Sequence, residues 1–226
     1  MLTAISQRHV KLEKGNRDAL ENSYVKYYEK FGLSLVLIPN TSSKTDDYFD
    51  KMKIERIILT GGDDVNPKLY GAKGTGIYSG ERDKTEIKLI DMAIKRKIPL
   101  LATCRGTQIL NVYFKGRLLQ NLKENGKENH VGSRHDVRIV DNNVKKFYGK
   151  NSFIVNSYHN HGITMETLSK NLRPFAVSDD GIVEGIYHPK YPIAGIIWHP
   201  ERDGSDKKMD KKLVDAFVEG SLFWKR

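Results

Sequence analysis

Short apolar runs alternate with longer amphipathic stretches along the first half of the chain. The runs predict strands over residues 2–6, 33–38, 54–60 and 99–103. The amphipathic stretches have apolar side chains at three- and four-residue spacing, and they predict helices over residues 17–31, 85–96 and 106–114. Strands that are apolar on both faces are typical of a parallel sheet covered by helices. The pattern therefore predicts an α/β fold.

The second half predicts shorter strands and one closing helix. The strand candidates are residues 137–140, 152–155, 175–178, 182–187 and 193–198. Asp180-Gly181 lies between two of them and predicts a hairpin turn. Residues 208–224 form an amphipathic stretch with apolar positions that can lie against the sheet, namely Met209, Leu213, Phe217 and Leu222.

The composition is typical of a globular protein with a substantial core. The 226 residues suit a single domain, 1–226, and they are 38% hydrophobic and 29% charged. No stretch approaches the roughly 18 consecutive apolar residues of a membrane-spanning helix, and residues 1–16 are too polar for a secretory signal. Cys104 is the one cysteine, so an internal disulfide is excluded. These features predict a cytoplasmic protein with no membrane partner.

The net charge of +10 does not by itself predict a nucleic-acid partner. The 38 basic and 28 acidic residues are interspersed, whereas nucleic-acid-binding proteins concentrate basic residues on one helix or arm. A lysine-rich solvated surface is the simplest interpretation, and an anionic small-molecule substrate is the alternative. The sequence leaves the oligomeric state open, a homo-oligomer included.

Cys104 follows a predicted buried strand and precedes a predicted helix. Ala102 and Gly106, two residues to either side, allow a sharp turn between them, which is the geometry of a nucleophile elbow with cysteine in place of serine. A helix N-terminus beneath the sulfur favours the thiolate, and the backbone N–H of Arg105 can face a developing oxyanion. The alternative is an inert thiol buried in the core.

His199 is the candidate base for this nucleophile. It ends the apolar run 193–198 and is followed by Pro200-Glu201. Residues two apart in an extended chain point the same way, so Glu201 can reach the imidazole, fix its tautomer and stabilise its charged form. The alternative for this tripeptide alone is a turn that ends a strand.

Two glycine-containing loops complete the predicted site. Gly61 and Gly62 follow the strand 54–60, at the same sheet edge as Cys104, and adjacent glycines allow close approach of the backbone to a ligand. Gly62 is the candidate second oxyanion donor, and an ordinary glycine turn is the alternative. Residues 71–76 have neither the Walker nor the dinucleotide-binding spacing, so we interpret them as a flexible loop over the site.

Taken together, these segments resemble the class I glutamine amidotransferase family, and within it the peptidase branch of free-standing γ-glutamyl-amide hydrolases. The order and spacing of the motifs carry the resemblance along nearly the whole chain. The motifs are Gly61-Gly-Asp-Asp-Val-Asn-Pro67, Arg82-Asp83 with Glu86, residues 99–111 around Cys104, Gly116-Arg-Leu-Leu-Gln120, Val155-Asn-Ser-Tyr-His159 and Gly195-Ile-Ile-Trp-His-Pro-Glu201.

The resemblance implies a flavodoxin-like, mostly parallel sheet with flanking helices and a Cys104–His199–Glu201 triad. A glutamyl group offers a cation and a carboxylate, for which amides, backbone groups and an arginine are suitable partners. The resemblance accordingly implies a set of contacts at the glutamyl end of the substrate: Gln108, Asn156, Ser157, Tyr158 and Arg82. A surface ion pair is the alternative for Arg82, and a polar loop is the alternative for the segment around Asn156.

The implied activity is hydrolysis of a γ-glutamyl amide through a glutamyl thioester, which releases glutamate and an amine or amidate. The basic balance favours a phosphorylated or nucleotide-linked amide such as γ-glutamyl-CDP-amidate, which relatives hydrolyse in capsule phosphoramidate synthesis. The alternatives are γ-glutamyl-γ-aminobutyrate as the substrate, a glutaminase subunit that supplies ammonia to a separate synthetase, and a non-catalytic binding module. No organic cofactor is expected. His159 and His161 form a pair with no third ligand at a plausible spacing, so no metal site is expected either.

Overall fold

A nine-stranded sheet with helices on both faces forms the centre of the protein. The computed structural model describes residues 1–41, 43–74 and 76–221. The strands are β1 Leu2–Ile5, β2 Arg8–Val10, β3 Arg17–Ala19, β4 Ser34–Leu37, β5 Ile54–Leu59, β6 Leu100–Thr103, β7 Val131–Ile139, β8 Ser152–Tyr158, β9 Arg173–Ser178, β10 Val183–Tyr187 and β11 Ile193–Ile196. The helices are α1 Asn22–Tyr28, α2 Thr45–Lys51, α3 Gly80–Arg96, α4 Arg105–Tyr113, α5 Asn142–Tyr148 and α6 Lys207–Glu219.

The sheet has a parallel half and an antiparallel half. The parallel strands follow the order β4-β1-β5-β6-β11, and β10, β9, β7 and β8 continue the sheet, each antiparallel to its neighbour. β6 and β11, at the centre, are buried along their whole length. The predicted α/β class, with a parallel sheet and flanking helices, is confirmed, and the antiparallel strands extend it. The predicted hairpin joins β9 to β10 through Gly181, which has a φ of 88°.

Apolar side chains fill a separate layer on each face of the sheet. Helices α2, α3 and α4 pack on one face and α1, α5 and α6 on the other. The second layer includes the predicted positions Met209, Leu213 and Phe217 of the closing helix. Within the described residues, no helix combines the length and the apolar character that crossing a bilayer requires.

The N-terminal region departs from the predicted helix over residues 17–31. Arg17–Ala19 is strand β3, which pairs with β2 in a small separate hairpin, and helix α1 begins only at Asn22. The carboxylate of Asp18 accepts hydrogen bonds from the backbone N–H and the side-chain amide of Asn40, at 2.8 and 2.7 Å. This tertiary contact holds the segment extended and outweighs its weak helical pattern.

The other differences concern short or polar elements. Helices α2 and α5 have seven residues each, which is too few to show a helical period in the sequence. β7 begins at Val131, whereas the prediction began at 137. The sequence pattern missed the first half of the strand because that half is polar and mostly exposed. β8 continues through Tyr158 instead of ending at 155. Helix α6 ends at Glu219, and the predicted continuation to 224, with Leu222, lies outside the described residues.

Phe217 tests the packing of α6 directly, because its side chain is fully buried against the sheet. Phe217→Ala removes most of that side chain, so we expect the free energy of unfolding to fall by about 3–5 kcal/mol. Urea unfolding followed by far-UV circular dichroism measures the change. Lys208→Ala, on the exposed side of the same helix, is expected to change it by no more than about 0.5 kcal/mol. Equal losses in the two variants would contradict the assigned face.

Candidate active site

The carboxyl ends of β5, β6 and β11 lie side by side at one edge of the sheet. β5 leads into the loop of Gly61 and Gly62, β6 leads into Cys104, and His199 follows β11. A Cβ built on Gly61 would lie 2.7 Å from Cε1 of His199 and 3.5 Å from Cβ of Cys104. The fold therefore brings the three segments into contact, and only a residue without a side chain fits between the imidazole and the loop.

Cys104 occupies a strained turn between β6 and α4. Its backbone has φ 50° and ψ −108°, a conformation that residues with a side chain rarely adopt. Gly106 makes the turn feasible, because a Cβ there would lie 2.6 Å from the carbonyl oxygen of Leu59. The cysteine is 5% exposed and lies at the N-terminus of α4, where the positive end of the helix dipole is found. The predicted elbow geometry is present in the backbone.

His199 is held through both its backbone and its ring. Its N–H donates to Oδ1 of Asn156 at 2.8 Å, and its carbonyl accepts from Nδ2 of Asn156 at 2.8 Å. The ring Nδ1 lies 2.6 Å from Oε1 of Glu201, whose side chain is fully buried. The carboxylate thus fixes the orientation of the ring and leaves Nε2 for the thiol.

Opposing effects set the protonation of His199. Burial by itself lowers the pKa of the imidazole. The negative charge of Cys104, the hydrogen bond to its sulfur and the carboxylate of Glu201 outweigh burial and raise the pKa of His199 to about 10. The ring is therefore an imidazolium at neutral pH, paired with sulfur on one side and a carboxylate on the other. In this state it is ready to donate a proton.

The two candidate oxyanion donors are the N–H groups of Gly62 and Arg105. Arg105 is the first residue of α4, so its N–H has no carbonyl partner within the helix. In the glycine pair, the N–H of Gly61 donates to the hydroxyl of Tyr24 at 2.8 Å. Gly62 has a φ of 136°, which favours glycine. The N–H of Gly62, unlike that of Gly61, does not donate to Tyr24, so Gly62 stays the candidate donor of this loop.

A buried network of charged side chains supports the glycine loop and the elbow. Arg82 donates to Oε1 of Glu86 at 2.9 Å and to the carbonyl of Gly61 at 2.9 Å, while Arg105 forms ion pairs with Asp83 and Glu86. Burial lowers the pKa of Arg82 to about 10 and that of Arg105 to about 9, so both stay charged at neutral pH. Arg82 is only 1% exposed, so the alternative of a surface ion pair is wrong.

Two of the candidate contacts for the glutamyl end border the site. Gln108, one turn into α4, donates to the carbonyl of His161 at 2.8 Å. The ring of Tyr158 lies 5.7 Å from that of His199, and the tyrosine is 43% exposed. Tyr158 therefore lies where a ligand of Cys104 could meet it, whereas the side-chain amide of Gln108 is buried and already donates to the protein.

The other three candidates are occupied within the protein. The amide of Asn156 bonds to the backbone of His199, and the hydroxyl of Ser157 donates to the carbonyl of His130 at 2.9 Å. Arg82 bonds to the glycine loop, but its Nη1 is buried with no hydrogen-bond partner among the described residues. A Cβ on Gly62 would lie 2.5 Å from that nitrogen. The positioning roles of these side chains were missed, because nothing in the sequence relates residues so far apart.

A cleft of about 550 Å³ opens beside the site. Its lining includes Asp64, Gln120 and His161, and the last of these accepts the hydrogen bond from Gln108. Lys73, Gly74 and Gly76, from the loop predicted to cover the site, also line it, while Thr75 lies outside the described residues. The cleft therefore borders His161, the partner of Gln108, and the loop that follows Gly62.

His159 and His161, for which no metal site was predicted, have different surroundings in the fold. His161 lies at the cleft, 4.0 Å from Asp64. His159 instead joins His130 and Glu184 in a buried group whose potential ligand atoms lie within 4.8 Å of one another. The sequence contains one signal of this buried group, namely Glu184, which is a glutamate in the otherwise apolar strand β10.

The family model and the similar proteins indicate the same family for this chain. The model of the peptidase C26 family matches residues 2–201. The γ-glutamyl-CDP-amidate hydrolase of Campylobacter jejuni is 33% identical over 162 residues, which cover 72% of this chain and 70% of that protein. The γ-glutamyl-γ-aminobutyrate hydrolase of Escherichia coli O157:H7 is 32% identical over 183 residues, 74% of this chain and 71% of that protein.

Solved structures are similar in fold. The glutaminase domain of a Trypanosoma brucei CTPS with bound acivicin superposes with a TM-score of 0.69 at 14% identity, over 97% of this chain and 93% of that chain. A glutamine amidotransferase from Thermotoga maritima has a TM-score of 0.57 at 17% identity, over 96% and 83%. With the family model matching most of its length and relatives above 30% identity, this chain belongs to the peptidase C26 family and has the fold of the class I glutamine amidotransferases.

Proposed function

We propose that this protein hydrolyses γ-glutamyl amides with Cys104 as the nucleophile. The observation that carries the proposal is that an elbow cysteine and an imidazolium oriented by Glu201 meet at the same glycine, Gly61. Two relatives in the family are named for hydrolysis of γ-glutamyl amides. Those names support the same bond as the target of this chain.

The first chemical step transfers the glutamyl group to sulfur. The thiolate of Cys104 attacks the γ-carbonyl carbon, and the N–H groups of Gly62 and Arg105 stabilise the oxyanion that forms. The imidazolium of His199 donates its proton to the departing nitrogen as the carbon–nitrogen bond breaks. The products of this step are a glutamyl thioester, a free amine or amidate, and a neutral imidazole.

The second step regenerates the enzyme. His199, now neutral, takes a proton from a water molecule that attacks the thioester carbonyl. The carbon–sulfur bond breaks, glutamate leaves, and the thiolate–imidazolium pair is restored. Glu201 stays bound to the ring in both steps and keeps Nε2 directed at the reacting atoms.

The glutamyl end is proposed to bind near Gln108, Tyr158 and the buried Nη1 of Arg82. The backbone N–H of Gln108 donates to the carbonyl of Cys104 at 3.1 Å, and Tyr158 packs against His199. The unpartnered Nη1 is a donor in need of an acceptor. Asn156 and Ser157 act on the substrate only indirectly, because their side chains hold protein backbone. The leaving group then extends into the cleft.

For the leaving group we propose a phosphorylated or nucleotide-linked amidate, such as γ-glutamyl-CDP-amidate. Support comes from the 33% identity to a γ-glutamyl-CDP-amidate hydrolase, the net charge of +10 and Lys73 in the cleft lining. γ-Glutamyl-γ-aminobutyrate is the second candidate, because a hydrolase of that substrate is 32% identical. A role in capsule synthesis would follow only from the first.

Cys104→Ala tests the nucleophile. The variant is expected to lose turnover by about 10⁴-fold or more, because no other group can form the thioester, and to keep the circular dichroism spectrum of the parent. Mass spectrometry of the parent mixed with substrate and quenched early should detect a glutamyl adduct that is absent from the variant. Undiminished turnover in the variant would refute the assignment. Ligand binding without turnover in the parent would favour a binding module, and turnover only with an added synthetase would favour a glutaminase subunit.

The pH dependence of thioester formation tests the role of His199. The step needs the imidazolium, so its rate should be maintained through neutral pH and fall as the pH rises through the pKa of about 10. Glu201→Gln removes one of the charges that raise this pKa, so the falling limb should move to lower pH. Rapid-quench measurement of the thioester gives both profiles. Asp203→Asn, a charge removed two residues away, should leave the limb in place, and an unmoved limb in Glu201→Gln would contradict the proposed pairing.

A substrate panel tests the leaving group. We expect kcat/KM to be highest for a γ-glutamyl nucleotide amidate, compared with γ-glutamyl-γ-aminobutyrate and glutamine. Lys73→Gln should lower kcat/KM for the phosphorylated substrate about tenfold, since it removes a charged hydrogen-bond donor, and should spare the other two. Lys68→Gln, on an exposed position of the same region, should change none of the three. Comparable rates on all substrates would reject the phosphate preference while leaving the hydrolase proposal intact.

A further inference from the structure

Near the end of β8, three imidazole rings converge on one carboxylate. Nε2 of His159, Nε2 of His135 and Nδ1 of His130 lie 3.3, 3.4 and 3.5 Å from Oε1 of Glu184. Glu184 is fully buried, and His130 and His159 are 2% and 5% exposed. The proposed hydrolysis uses none of these four side chains.

Most polar atoms at the centre of this cluster form no hydrogen bond with a described residue; Nδ1 of His130 is the exception, 3.2 Å from Oγ of Ser157. Both carboxylate oxygens of Glu184, Nε2 of His135 and Nε2 of His159 are buried and have no hydrogen-bond partner within the part of the chain that the structure describes. The close approaches between them lack hydrogen-bond geometry. Leaving a buried carboxylate without donors is costly, so such a group calls for a compensating partner.

The outer nitrogens of two rings are anchored, so their inner nitrogens are directed at the centre. Nδ1 of His159 donates to the carbonyl of His161 at 3.0 Å, and Nε2 of His130 lies 3.0 Å from Oδ2 of Asp180. A histidine that ligates a metal almost always donates its other ring N–H to a carbonyl or carboxylate in this way. Both kinds of acceptor are present here.

The distances of the three ring nitrogens from the carboxylate oxygen suit a small tetrahedral cation, and the ligand atoms of His130, His159 and Glu184 all lie within 4.8 Å of one another. A zinc–nitrogen bond of about 2.0–2.1 Å at the tetrahedral angle places neighbouring ligand atoms about 3.3 Å apart. The three ring nitrogens lie 3.3–3.5 Å from the carboxylate oxygen. Imidazole and carboxylate ligands without a thiolate suit zinc among the biological divalent cations.

We propose that His130, His135, His159 and Glu184 bind one Zn²⁺ ion. Four protein ligands close the coordination shell, which is the arrangement of a structural site. The ion would join β7, β8 and β10, together with the segment that leads into β7. β8 also carries Asn156, which holds the backbone of His199, so the site stabilises the part of the sheet that positions the candidate acid.

Zinc binding is measured in the Cys104→Ala background, because Cys104 and His199 could themselves hold zinc. Protein freed of metal by a chelator is titrated with zinc chloride against a chromophoric competitor. We expect one ion per chain and a rise in the melting temperature as the site fills. The readout is binding and stability, so it is independent of whether the hydrolase proposal holds.

Single substitutions assign the site. Glu184→Gln and His159→Asn should each weaken zinc binding by about a hundredfold or more, whereas His161→Asn, a neighbouring histidine whose ring lies outside the cluster, should retain it. Zinc binding that survives both ligand substitutions would overturn the proposal. So would the absence of stoichiometric zinc uptake by the Cys104→Ala protein that carries neither substitution.

A spectroscopic measurement on the folded Cys104→Ala protein needs neither ligand variant. X-ray absorption at the zinc edge should give nitrogen and oxygen neighbours at about 2.0–2.1 Å, with the outer-shell scattering of imidazole rings. Zinc surrounded only by water oxygens would overturn the proposal equally well.

Discussion

One hydrogen bond joins the two halves of the candidate site. The N–H of Cys104 donates to the carbonyl of Ile196 at 2.7 Å, which continues the ladder between β6 and β11 through the strained turn. The register of that ladder pairs Thr103 with Ile196, so the thiol and the imidazole that follow the two strands must emerge at the same edge. Everything proposed for the chemistry depends on this register, because a slip by one residue would turn either side chain to the other face of the sheet.

The charged side chains buried beneath the elbow hold the backbone in place. Arg82, Arg105, Asp83 and Glu86 are all removed from water, and a buried ion-pair network is weak evidence for stability. Breaking it by removing one partner, however, would leave a charge buried and uncompensated. The network therefore acts as a geometric constraint that fixes where the carbonyl of Gly61 and the first turn of α4 lie.

The parts that were accessible from sequence are those set by neighbours along the chain. The elbow follows from residues around Cys104, and the His199–Glu201 contact follows from a separation of two residues. The strand ends follow from the apolar runs before them. What could not be predicted depends on distant partners. Asp18 pairs with Asn40 and holds part of a predicted helix as a strand, and Glu184 meets His135 on β7 and His159 just after β8. Such contacts leave no periodic trace, because each partner alone has the character of an ordinary polar residue.

Arg105 belongs to two structures at once. Its amide begins α4 beside the sulfur, while its guanidinium is locked to Asp83 and Glu86 on α3. The two helices are thus coupled through the residue next to the nucleophile. Helix α4, which begins at the thiol, cannot tilt unless α3 moves with it. Adaptation to substrates of different shape must come from the loops that border the cleft, and variation in those loops can change specificity while the reacting centre stays rigid.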